Sequence, residues 1–304
     1  MFQPPQEIAT TVFAELPARF RRPEQSSEWK RGQPGETHAH SALEGPSFDR
    51  EGRLWCVDIA FGRIFRVSAG GEFELVAEYD GEPNGLKIHR DGRIFIADYK
   101  NGIMRLDPAT GAVVSVLARH RLERFKGVND LVFASNGDLY FTDQGLTGLH
   151  DPTGAVYRLR ADGTLDQLLD NVPSPNGIVL NPQETQLYVA VTRGNCVWRV
   201  PLLEDGGVTK VGNFIAMSGG VGPDGLAVDQ KGNLAVAHVG LGSVWLFSPQ
   251  GEPLYRIRSC RGLRTTNIAY GGPDGKSLFI TETETGSILK AELPVPGQPM
   301  YSHR

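Results

Sequence analysis

The stretch Ser174-Pro175-Asn176-Gly177-Ile178-Val179-Leu180-Asn181-Pro182-Gln183-Glu184-Thr185-Gln186-Leu187-Tyr188-Val189-Ala190-Val191 reads as a turn, a short apolar run, a polar turn and a second apolar run. Two such runs around a polar turn make a β-hairpin. The same unit recurs along the chain, each time with a small polar or acidic residue where Asn176 stands. These anchors are Glu44, Asn84, Asn129, Asn176, Asp224 and Asn267, spaced 40, 45, 47, 48 and 43 residues apart. A period of this size is that of a four-stranded propeller blade.

Each anchor precedes a short apolar strand, such as Leu131-Val-Phe or Leu226-Ala-Val. A tight turn follows, for example Arg90-Asp-Gly, Ser135-Asn-Gly or Pro273-Asp-Gly, whose residues tolerate the positive φ of hairpin loops. Second strands come next (Leu54-Trp-Cys-Val, Ile94-Phe-Ile-Ala, Leu139-Tyr-Phe-Thr), then third strands of period two (Arg63-Ile-Phe-Arg-Val, Cys196-Val-Trp-Arg-Val). Fourth strands are looser. The pattern predicts an all-β, six-bladed β-propeller, with residues 1–304 as one domain. Thr10 to Leu16 is expected to pair with Ser287 to Leu293 and close the ring, because open sheet edges invite aggregation. Residues 17–41 have no blade pattern and read as a loop or arm before the first anchor strand, placed to cover one mouth of the channel.

Composition narrows the function. The 304 residues carry a net charge of −4, and no long Lys/Arg stripe is visible, which argues against nucleic acid. No apolar run is long enough to span a membrane, and the first 16 residues lack the pattern of a signal peptide. Cys56, Cys196 and Cys260 lie in or beside apolar runs with no C-x-x-C spacing, so buried thiols in a reducing, cytoplasmic setting are expected.

The innermost strand of each blade runs along the central channel, so the six anchors are expected to meet around the axis. All are oxygen donors, two are carboxylates, and none is His or Cys. Hard cations such as Ca²⁺ take oxygens from carboxylates and amide carbonyls, and two carboxylates balance one divalent charge. Turn preference alone accounts for Asn-Gly at one or two blades but poorly for Glu44, since Glu is not a turn residue. Glu44, Asn129, Asn176 and Asp224 are therefore the expected metal ligands. Ca²⁺ is the expected ion, with Zn²⁺, Mg²⁺ or Mn²⁺ as alternatives. Asn129, Lys126 and Asn84 are the expected substrate contacts. Asp130 reads as a structural hydrogen-bonding residue. Asp98, Asp143 and His238 read as blade-turn residues at the ends of second strands. His38, His40, His120 and His150 lie in polar loops and are assigned no role. No nucleophile elbow, phosphate loop or His-Glu-x-x-His is present.

At Leu43-Glu44-Gly45-Pro46, Val128-Asn129-Asp130-Leu131, Pro175-Asn176-Gly177 and Pro223-Asp224-Gly225, with Leu139-Tyr-Phe-Thr-Asp143, the chain resembles the senescence-marker-protein/gluconolactonase family, also called regucalcin-like proteins. The resemblance spans about residues 40–293. It implies one divalent cation in the channel of a six-bladed propeller, and hydrolysis of a small-molecule lactone, most often a sugar lactone. By motif, Glu44, Asn176 and Asp224 match the family's core metal ligands. Asn129 matches an asparagine that binds metal directly or through substrate and water, and Asp224 matches its general base. Sugar lactonases of the family often carry Arg or Asn shortly before the Asn-Asp pair, whereas Lys126-Gly127-Val128 stands here. A phosphotriesterase or aryl-esterase on the same metal, or a non-catalytic binding propeller, are the competing readings. Oligomeric state is open.

Overall fold

The computed structural model describes residues 4–33 and 39–304; His38 and residues 34–37 of the arm lie outside the described residues. Six sheets of antiparallel strands follow one another around an axis, as the period predicts. Their innermost strands are Leu43–Phe48, Pro83–Ile88, Val128–Phe133, Pro175–Leu180, Gly222–Val228 and Thr265–Gly271. Each inner strand touches the next, and the sixth touches the first, so the ring is closed.

Closure uses the N-terminus as the sequence predicts. Thr11–Glu15 pairs antiparallel with Ser287–Glu292 and becomes the outer strand of blade six. The preceding strand, Gln6–Ala9, pairs parallel with Pro253–Arg258 of blade five, which the repeat does not foretell. One continuous segment therefore fastens two blades.

The core is divided into wedges between successive blades, because side chains alternate between the two faces of each strand. In blade one, Cys56 and Phe65 face blade six, beside Phe279 and Ile288. Trp55, Val57 and Ile64 face the other way, toward Leu86, Ile94 and Ile96 of blade two. The same division repeats at every junction. Cys56 and Cys196 are buried, but Cys260 is exposed, correcting the expectation of three buried thiols. The apolar strand stops at Arg258, and Cys260 sits in the following loop with its N–H donated to Thr10 Oγ1 at 2.9 Å.

The acids ending second strands act structurally. Asp143 accepts from the Lys126 and Gly127 amides, Asp98 from those of Glu82, Lys100 and Asn101, and Asp58 from that of Ala42. Each carboxylate ties the chain entering or leaving its blade to the end of a strand. No helix of the described residues is long and apolar enough to cross a membrane.

The two ends of the channel differ. At the end where inner strands begin, the short helix Glu28–Gly32 lies over the opening. Ser27 caps it by accepting from the Lys30 N–H at 3.2 Å. Buried Lys30 donates its ammonium to the Pro23 and Gln25 carbonyls, at 3.1 and 2.8 Å. At the opposite end the C-terminal segment 298–304 lies across the ring. The Gln298 N–H donates to Val228 O, Ser302 Oγ to Phe48 O and Arg304 Nη1 to Glu184 Oε1, while the Tyr301 ring stacks on Phe133.

Candidate metal centre

Every inner strand carries a β-bulge where its anchor lies. Pairing with the second strand slips between Glu44 and Ser47, Pro83 and Gly85, and Val128 and Leu131. It slips likewise between Pro175 and Ile178, Pro223 and Leu226, and Thr265 and Ile268. A bulge leaves a residue out of the ladder and re-aims its side chain. The chain uses six of them to line the axis.

The register also corrects the sequence reading of blade six. Val128 pairs with Asp143 as Thr265 pairs with Glu282, so Thr266, not Asn267, is the counterpart of Asn129. Thr-Asn in place of Asn-Gly shifts the apparent anchor by one residue. The upper ring is therefore Glu44, Asn84, Asn129, Asn176, Asp224 and Thr266, one side chain per blade, and all six line a single cavity of about 130 Å³.

Asn267 belongs one layer deeper, with Asp130. At that level the other four blades have Gly45, Gly85, Gly177 and Gly225, each pressed against the adjoining blade. A Cβ on Gly85 would stand 2.6 Å from Asp130 Oδ1, and one on Gly225 would collide with the Asn267 side chain. Glycine is required there by close approach. This layer divides the channel, with the cavity of the upper ring above and a separate cavity of about 110 Å³ under the C-terminal segment.

Glu44 is buried, and its Oε2 accepts from the Gly45 N–H at 2.6 Å and from Asn267 Nδ2 at 2.7 Å. Burial raises its pKa from the usual 4.5 to about 7; the charge of Asp130 adds to the rise, and the two hydrogen bonds oppose it. Asp224 is pushed well above the usual carboxylate range by burial first and then by the charges of Glu44 and Asp130, while a hydrogen bond from Asn176 and the Arg264 guanidinium pull it down. Asp130 is likewise raised by burial, against the attraction of Lys87, whose Nζ is 3.8 Å away.

Asn129 Nδ2 donates to Gln144 Oε1 at 2.7 Å, and Gln144 Nε2 donates to Ser174 Oγ at 2.9 Å. This relay fixes which end of the Asn129 amide is used by protein and leaves its oxygen for the cavity. Ser174 holds a left-handed backbone, φ 66°, beside the site. Gln144, Tyr99, Trp29, Arg193 and Arg264 also line the cavity, and none was singled out from the sequence. Their signal is not periodic, because they come from loops and the arm. Lys126 does not line the cavity; its ammonium donates to Thr153 Oγ1. The Tyr99 ring fills the space over Gly127, 2.7 Å from where a Cβ there would stand.

The donor set fits a hard divalent cation. It offers two carboxylates, three amides and a hydroxyl, all gathered around one small cavity in which unpaired carboxylates are costly. Among the described residues no group of three or more His, Cys, Asp or Glu side chains converges, so neutral amide oxygens must complete any ligand shell.

Comparison with known proteins gives a family model described as "SMP-30/Gluconolactonase/LRE-like region" that matches residues 43–284. A gluconolactonase of Zymomonas mobilis is 34% identical over 250 residues, covering 75% of this chain and 69% of that protein. The lactonase drp35 of Staphylococcus epidermidis is 33% identical over 257 residues, covering 80% and 74%. Among solved structures, a calcium-binding regucalcin from Agrobacterium tumefaciens superposes with TM-score 0.77 at 24% identity over 98% of this chain and 99% of that one. A gluconolactonase from Xanthomonas campestris gives 0.75 at 22% over 97% and 99%. At these identities the structural likeness is one of fold.

Proposed function

The chain belongs to the SMP-30/gluconolactonase/LRE-like family, and from that premise we propose that it is a divalent-cation-dependent lactonase. It opens a lactone, with a sugar lactone such as gluconolactone favoured, to the hydroxy acid. The observation that carries this reading is the upper ring, one oxygen-bearing side chain from each blade, with two carboxylates, buried Glu44 and half-buried Asp224, in one cavity. The lactonases and gluconolactonases among its relatives support the reaction class.

Glu44, Asn129, Asn176 and Asp224 would hold the cation, Ca²⁺ first among the candidates. When bound, it supplies Lewis acidity toward the lactone carbonyl and toward water. The chain's own residues do the rest. Asp224 accepts the proton of the attacking water, and the burial that raises its basicity suits it to that role. Water oxygen bonds to the carbonyl carbon, the ring C–O bond breaks, and the departing oxygen takes a proton to become the hydroxyl of the product. Asn129, steadied by Gln144, and Asn84 face the substrate. Lys126, engaged with Thr153 outside the cavity, would contact a substrate oxygen only by giving up that bond.

The test is a pH-indicator assay on glucono-δ-lactone, pentonolactones, γ-butyrolactone and dihydrocoumarin, with phosphotriesters and aryl esters alongside. Protein is stripped by chelator and reloaded with Ca²⁺, Mg²⁺, Mn²⁺ or Zn²⁺. Lactone hydrolysis lost on chelation and in Glu44→Gln is the expected result. Asp224→Asn should retain the cation and lose turnover; full activity in that variant removes Asp224 as the base. Turnover of esters alone moves the assignment to an esterase. No turnover of any substrate with cation bound makes the propeller a binding protein.

A further inference from the structure

We propose that the mouth of the channel carries an anion-binding subsite centred on Arg193, so that the substrate is a lactone bearing a carboxylate or phosphate substituent. This rests on the lactonase reading and names its substrate class.

Size gives the first argument. The ring cavity, about 130 Å³, is smaller than the roughly 300–1,000 Å³ of ordinary small-molecule sites. It adjoins a vestibule of about 540 Å³, and the two share Gln33, Tyr99, Gln144 and Arg193. The ring cavity alone falls short of that range and the vestibule beside it does not, so a substrate whose ring sits on the anchors extends an arm past these four residues.

Charge gives the second. The cavity floor carries Glu44 and Asp224, with Asp130 beneath. The vestibule wall contains no Asp or Glu among the described residues; its basic members are Arg193 and His150. With a divalent cation balancing Glu44 and Asp224 below, the basic side chains at the mouth are what draw an anionic arm outward. Arg193 is exposed and makes no hydrogen bond or ion pair among the described residues. Other cations on this side are engaged: Lys100 with Asp80, Arg261 with Glu15, and Lys126 with Thr153.

Placement gives the third. Arg193 lies on the 3₁₀ turn Thr192–Gly194. Thr192 Oγ1 donates to Pro223 O at 2.8 Å, next to Asp224, and Asn195, left-handed at φ 48°, donates from Nδ2 to Gly219 O at 2.9 Å. The turn is thus bolted to the strand that carries the proposed base. The Arg193 stem runs along Gly148, where a Cβ would stand 3.6 Å from its Cγ. The stem thus starts at the mouth, and a guanidinium offers two parallel N–H groups, the geometry that suits carboxylate and phosphate.

The experiment is calorimetry on the Ca²⁺-loaded protein with three hydroxy acids that differ at the distal carbon: gluconate, glucarate and 6-phosphogluconate. Wild type should bind glucarate or 6-phosphogluconate about tenfold to a hundredfold tighter than gluconate. Arg193→Gln should collapse that ratio toward unity, and Arg193→Lys should keep part of it. In turnover, the loss should appear in KM for the anionic lactone with kcat little changed. Equal binding of all three acids by wild type, or equal weakening of all three by Arg193→Gln, overturns the subsite. Arg193-dependent binding of the anionic acids without turnover of any lactone upholds the subsite and overturns the lactonase reading, whereas turnover without anionic preference does the reverse.

Discussion

Glu44 stands between two fixed donors, the Gly45 amide and the Asn267 side chain, and feels the buried carboxylate of Asp130. Without a cation its pKa rises from 4.5 to about 7. Between those values the folded chain holds a proton that the unfolded chain has released, so stability falls as the pH rises through this window and levels off above it. A cation selects the ionised form, so its stabilisation grows with pH over the same range. Thermal unfolding from about pH 5 to pH 8 should therefore show Tm dropping by a few degrees in chelator, and flat or rising in Ca²⁺. A Tm that climbs in chelator across this range would mean that Glu44 is not the group that governs the site. Five of the six side chains of the upper ring were readable from the sequence because they repeat at a fixed spacing. The one-residue offset in blade six was not, because Thr266 and Asn267 are both polar and only strand register separates them.

Strands were legible as short apolar runs between turn residues, because the first and second strands of each blade are buried on both faces. The arm was not, because it packs through single contacts rather than a repeating face: Lys30 over Phe61, and Trp29 against Ile59 and Ala60. The parallel strand Gln6–Ala9 was missed because its outward edge is mostly exposed and carries no alternation. Its neighbour Thr11–Glu15 is different. Ala14 and Leu16 are in the wedge between blades six and one, and the Phe13 ring meets Phe279 edge-on at 4.9 Å. Deleting residues 1–9 is expected to lower Tm by a few degrees. Deleting residues 1–16 uncovers the edge of Ser287–Glu292 and empties part of that wedge, and should lower Tm by about 10 °C or more. Equal losses in the two truncations, compared by circular dichroism melts, would show that the ring does not depend on the closing strand.

Across the whole molecule, the ring is tied from below by its C-terminal segment, whose Gln298, Tyr301, Ser302 and Arg304 reach blades five, three, one and four. No period announces such a segment, since it belongs to no blade. Removing residues 298–304 strips buried Tyr301 and half-buried Met300 from the inner strands. The expected cost is about 2–4 kcal/mol, a fall in Tm of several degrees. Ca²⁺ affinity measured by calorimetry should be nearly unchanged, because the glycine layer with Asp130 and Asn267 separates the tail from the upper ring. A large loss of affinity would place the tail in contact with the site through that layer.

That same glycine layer governs traffic. With backbone packed against backbone at mid-channel, the propeller is a well with a floor, and whatever enters over the arm must leave by the way it came. Reactant and product then queue at a single doorway. On the lactonase reading, a hydroxy acid formed at the bottom would have to clear Tyr99, Gln144 and Arg193 before another ring could descend. In such a cul-de-sac the product is expected to inhibit by standing in the reactant's place.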